Sequence, residues 1–265
     1  MRKYLSVFKT SFKQESKTLA NSLVSVVSFA VIIYIFNELW GYIYGGSGIG
    51  QTINGYTFEM MIWYMIAAEI LMYAYNRRAV TNAFGNDIKS GKIAYQLNKP
   101  YNYYGYQVAN QCGSFIWKLC FLFPAGTLMG LILLGPIPNF KLYYIFPIMF
   151  SIIIACVLAC MIFGMIGLLC FWLEEASPFT WILEKFVMLL GLFFPPEFFP
   201  AWLQPFITYS PIYPLMSGPS KLLADFSWEL FAKVSAIQAI YMAISLAIGL
   251  LIYKSGTKKV NVHGG

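Results

Sequence analysis

Six stretches of this chain are apolar with almost no interruption, at 19–36, 58–75, 114–134, 143–173, 179–194 and 234–253. Apolar runs of this kind predict helices that cross a bilayer, because a helix satisfies its own backbone polar groups inside hydrocarbon. The fourth run, 31 residues, would reach ~46 Å as a helix against a hydrocarbon core of ~30 Å. It is expected to tilt, kink or protrude.

Three pieces between the runs follow other patterns. In residues 1–18, Leu5, Phe8 and Phe12 recur at helical spacing opposite Lys3, Lys9, Lys13 and Lys17. That pattern predicts an amphipathic helix lying in the inner interface, or else a basic tail. Residues 77–106 hold the polar segment "DIKSGKIAYQLNKPYNYYGY". A helix of about ten residues is expected to close at Ser90-Gly91, because glycine tolerates the left-handed conformation of a helix end. "KIAYQLNKP" then reads as extended up to Pro100, and Asn102 as the cap of the helix entering the third run. Residues 195–231 are as apolar as a span but carry seven of the thirteen prolines, so a continuous helix is ruled out. Short helices dipping back from the outer face fit this composition better than an ordinary external loop.

Composition narrows the class. The chain is 59% hydrophobic and 11% charged, far below the ~25% charge of soluble domains. One all-α polytopic membrane domain, 1–265, is expected. The net charge of +7 lies in clusters beside the apolar runs, which argues for membrane orientation and against nucleic acid. With the N-terminus inside, thirteen basic residues are cytoplasmic, among them Arg2, Lys3, Arg77, Arg78, Lys89, Lys92, Lys99 and Lys254. Only Lys141, Lys221 and Lys233 lie outside. Both termini are therefore expected in the cytoplasm. The five cysteines lie in or beside the runs without a histidine or carboxylate cluster and read as packing residues. The charged N-terminal stretch does not read as a cleaved secretory signal.

Candidate chemistry is sparse. "GGSGIGQT" at 45–52 approaches a phosphate-binding loop, but Gln51 stands where its lysine is required. The chain is thus read as having no nucleotide site, and with a single histidine, His263, no catalytic triad, zinc cluster or other metal site is legible. Ionisable groups inside spans point to function by default. Glu69 and Lys118 fall at similar depth on the second and third spans, which predicts an ion pair, unless Lys118 snorkels to the interface. Glu184 and Lys185 lie two turns into the fifth span and are candidates to line a passage; Ser177 and Pro178 are expected to cap and open that helix. Asn21 and Ser25 either face the same passage or bond back to their own helix. Gly126 and Gly130 form a small-residue face for close helix packing.

The order of these features resembles an ABC-2-type exporter permease. The inner loop matches at Asp87, Ile88, Lys89, Ser90, Gly91, Ile93, Leu97, Lys99 and Pro100. The outer segment matches at Phe199, Pro200, Trp202, Pro211 and Pro219. The resemblance implies six spans and a re-entrant outer segment. It also implies a cytoplasmic coupling helix at Asp87–Lys92 and Pro100 that docks on a separate ATP-binding cassette subunit, which itself carries ATP and magnesium. Two permease chains, identical or not, would form the passage in a prokaryotic plasma membrane, among membrane lipids. A hydrophobic or amphipathic cargo (peptide, drug or lipid-like) suits the aromatic-rich spans. The rival readings are a secondary transporter or channel without an ATPase, which predicts internal repeats, and a membrane scaffold.

Overall fold

A computed structural model of the protein describes residues 2–45, 52–137 and 140–263, the last four as helix backbone. The glycine-rich run at 46–51 lies outside the described residues, as do residues 138–139. No strand occurs among the described residues, and four helical stretches are long and apolar enough to cross a membrane: Leu19–Gly45, Tyr103–Leu134, Leu142–Phe171 and Trp228–Lys259. The protein is an all-α polytopic membrane protein.

Helix α3, Phe58–Ala74, is the axis of the fold. Every residue from Met61 to Leu71 is buried, so the helix is apolar on all sides because it is enclosed on all sides. Helix α2, Leu19–Gly45, is its opposite. It buries one stripe, Ser22, Phe29, Ile33, Trp40 and Tyr44, spaced seven and four residues apart as one helix face requires. Its other face presents Val24, Val27, Val31, Tyr34 and Tyr42 uncovered.

Helix α6, Tyr103–Leu134, packs on α3 through its small-residue face. A Cβ on Gly130 would lie 2.4 Å from the Trp63 ring, and one on Gly126 would lie 3.0 Å from Ile70. Asn102 caps α6 by accepting from the Gly105 amide at 3.0 Å, as the sequence predicts. Helix α1, Arg2–Glu15, binds to α6 rather than lying only against lipid. The Ser11 hydroxyl donates to the Asn110 carbonyl at 2.6 Å, Ser114 donates to Glu15 at 2.6 Å, and Phe12 meets Trp117 edge-on. Gly113 makes this approach possible, since a Cβ there would lie 2.4 Å from the Phe8 carbonyl oxygen.

Helix α7, Ile145–Leu168, continues the fourth apolar run and tightens to a 3-10 turn at Leu169–Phe171. Helix α8, Ser177–Val187, opens with Pro178 in its first turn; Ser177 lies inside the helix, and Ala176 takes the cap position without a side-chain bond. It runs on as a π-helical turn, Met188–Leu192. The proline-rich segment then breaks into a 3-10 turn, α9 (Gln204–Thr208), a second π-helical turn at Tyr213–Ser217 and α10 (Gly218–Ala224). Helix α10 is buried against α3. At the segment's start, Glu197 accepts from Tyr56 at 3.1 Å and pairs with Lys221. Burial and then the Glu197 charge push the Tyr56 phenol up, so it remains a proton donor in this bond. Helix α11, Trp228–His263, closes the bundle along α7. All five cysteines are free thiols, three of them buried.

Candidate functional site

Helix α4, Arg77–Lys89, and helix α5, Lys92–Leu97, form an elbow on Gly91. The Ser90 hydroxyl donates back to the Asn86 carbonyl at 2.7 Å and ends α4. Gly91 then takes φ +72°, in the left-handed region where glycine is unstrained, and the chain turns directly into α5. "KIAYQL" is thus helical, where the sequence reading expects extended chain. Ile93 is buried beneath the elbow, and that long-range burial holds six residues that local propensity would leave unwound.

The residues singled out in this loop divide by exposure. Lys89, Ser90, Gly91, Lys92 and Pro100 are exposed, whereas Asp87 and Ile88 are half-buried. Asp87 is committed internally, accepting from the Tyr103 hydroxyl at 2.6 Å, which accepts in turn from Gln107 at 2.8 Å. The Pro100 carbonyl accepts from Lys3 at 3.0 Å, and Lys99 lies over the Tyr95 ring.

Helix α4 joins this corner to the rest of the bundle. Phe84 fills the notch left by two glycines of α7; a Cβ on Gly167 would lie 2.9 Å from Phe84. Thr81 shares a 2.8 Å hydrogen bond with Thr180 of α8. Glu184 of α8 faces Arg77 at 3.7 Å and Arg78 at 3.2 Å. Burial, opposed chiefly by Glu184, lowers Arg77 from the ordinary guanidinium value. Sequence reasoning treats Arg77 and Arg78 only as orientation signals and misses Thr81, Thr180, Tyr103 and Gln107. A carboxylate two turns into a span requires a cation, and Glu184 was the available clue to Arg77.

The remaining candidates lie away from the elbow's tip. Glu184 is committed to the arginines, so it is not a free passage-lining group. Lys185 is exposed beside the Trp181 ring. The Ser25 hydroxyl returns to the Asn21 carbonyl at 2.9 Å, the second of its two alternatives. The expected Glu69–Lys118 pair is absent from the ion pairs of the described residues. The reasons are register and azimuth: Trp63 meets Gly130 while Ile66 and Ile70 meet Gly126, which leaves Lys118 ~10 Å along α6 from the level of Glu69. Ile66 and Ile70 of α3 face α6, and Glu69 lies about 100° round the helix from Ile70. It points instead into an apolar cavity between α2, α3 and the first π-helical turn.

A comparison with curated proteins finds no match. A comparison with protein families matches residues 31–264, from within α2 to the end of α11, to the ABC-2 family transporter proteins. The chain belongs to the ABC-2 transporter family and is a membrane permease component of an ABC transporter.

Proposed function

We propose that the chain is one half of the transmembrane pathway of an ATP-driven exporter, powered through the α4–α5 elbow by a separate ATPase subunit. The observation that carries this reading is the elbow's two-sided construction. Its tip, Lys89 to Lys92, is exposed and charged, while its stem is joined to α6, α7 and α8 by Asp87–Tyr103, Phe84 and Arg77–Glu184. Pressure on the tip therefore moves packed helices rather than bending a slack loop.

In this reading all six apolar runs cross the membrane. Helix α3, shielded by its neighbours, and α8 with its π-helical extension, which leaves Phe179, Trp181, Ile182, Phe186 and Leu189 uncovered, are the two shorter crossings. Both termini and the elbow face the cytoplasm of a prokaryotic cell, and the segment 195–231 is re-entrant from outside. The uncovered face of α2 is largely apolar, interrupted by Asn21 and Glu38, which suits a seam with a second permease chain, identical or not. ATP and magnesium bind the partner subunit. The cargo is hydrophobic or amphipathic.

The test is a cross-link from the elbow. In a Cys120→Ser background, Lys92→Cys is expected to cross-link to a co-purifying ATP-binding cassette subunit, identified by mass spectrometry through its phosphate-binding loop. Tyr42→Cys, exposed at the other end of α2, is expected not to react with it. Equal yields from both positions, or none from Lys92→Cys in a complex that co-purifies, would remove the elbow from the docking surface.

A further inference from the structure

The cavity that receives Glu69 is separate from the elbow. Ile32, Phe36, Met72, Met188, Leu192 and Phe193 enclose about 410 Å³, within the range of small-molecule sites. Glu69 is 4% exposed and makes no hydrogen bond or ion pair among the described residues. An ionised carboxylate held away from water requires a cation or strong donors. Arg77 acts on Glu69 only through space, without an ion pair. Arg77 is held by Glu184 and donates to the Met72 carbonyl at 3.2 Å, and Lys185 sits over Trp181 on an exposed face.

The wall opposite Glu69 is the π-helical turn Met188–Leu192. Its irregular backbone is satisfied from outside: Tyr64 donates to the Gly191 carbonyl and Ser217 donates to the Leu190 carbonyl at 3.4 Å. Such single π turns recur at functional sites because they widen a helix locally and re-aim its side chains. Ile35, half exposed at the rim, opens the cavity toward the uncovered face of α2. A ligand can therefore enter from hydrocarbon or from the seam between two permease chains.

We infer that this cavity is a cargo site for a lipophilic cation, whose apolar body fills the pocket and whose positive charge meets Glu69. The inference rests on the transport reading above and specifies its cargo class. It is tested with two probes of one shape and opposite charge, tetraphenylphosphonium and tetraphenylborate, by equilibrium binding to the full chain in nanodiscs of neutral lipid. Wild type is expected to retain the phosphonium above the lipid background. Glu69→Gln, nearly isosteric, should weaken phosphonium binding about tenfold, the scale of one shielded Coulomb contact, without weakening the borate. Ile32→Trp, which fills the cavity, should remove phosphonium binding. Unchanged phosphonium binding in either variant, or an equal loss of both probes in Glu69→Gln, would overturn the site. No ATPase is present in this assay. ATPase-driven transport without phosphonium binding would discard the cation site and keep the permease; phosphonium binding without ATPase-driven transport would do the reverse.

Discussion

Replacing Gly91 with valine is expected to reduce permease-stimulated ATP turnover to the basal rate of the ATPase while the chain still inserts and folds. The position is open: a Cβ there would meet no atom within 4 Å, so no packing is disturbed. What changes is the backbone. Gly91 holds φ +72°, a conformation that costs an ordinary L-residue ~1–2 kcal/mol and a β-branched one more. Valine relieves that strain by re-angling α5 against α4, which displaces Lys92 and Ile93 together. Gly91→Asn separates backbone from bulk, because asparagine accepts the left-handed region; it should retain most of the coupling. Asp87→Lys attacks the same device from the stem by removing the acceptor of the Tyr103 hydroxyl. If valine and asparagine variants stimulate ATP turnover equally, the elbow's angle has no part in coupling.

Removing the carboxylate of Glu184 is expected to cause the largest loss of stability. The Arg77 side chain is 11% exposed and its Nε has no hydrogen-bond partner, so Glu184 at 3.7 Å is the compensating charge. Breaking a buried pair from one side costs about 3–5 kcal/mol, because the surviving ion stays desolvated. Glu184→Ala should therefore lower the unfolding midpoint of the chain in nanodiscs sharply. Arg78→Ala is the internal control. Its side chain is 63% exposed, and an exposed ion pair is worth only ~0–1 kcal/mol. Replacing both Arg77 and Glu184 with methionine should recover much of what Glu184→Ala loses. A Glu184→Ala chain no weaker than Arg78→Ala would show that Arg77 is not dependent on this carboxylate.

Gly91 and Glu184 differ in how far the sequence discloses them. Local chemistry was legible: the left-handed glycine after Ser90, the Asn102 cap and the glycine face of α6 all follow from short-range rules, and the structure has them. The relative depth and azimuth of groups on neighbouring helices were not legible. Lys118 lies ~10 Å along α6 from the level of Glu69, because α6 starts at Tyr103, well before the apolar run, and α3 is apolar all round, so nothing in its pattern says which neighbour Glu69 faces. Helix α5 is too short for propensity to reveal, and both π-helical turns depend on acceptor and donor groups from distant segments. The N-terminal helix shows the same limit. Its amphipathic pattern is real, but Gly113 gives part of that face a protein partner.

The central claim is that work enters this chain through the elbow from a separate ATPase and is spent moving cargo across the bundle. Its most direct test is efflux of a panel of fluorescent amphiphiles from vesicles containing the purified chain, with and without the ATPase subunit. Movement is expected only with both the subunit and hydrolysable ATP, and it should stop in Gly91→Val vesicles. Equal efflux from vesicles holding the chain alone would contradict it.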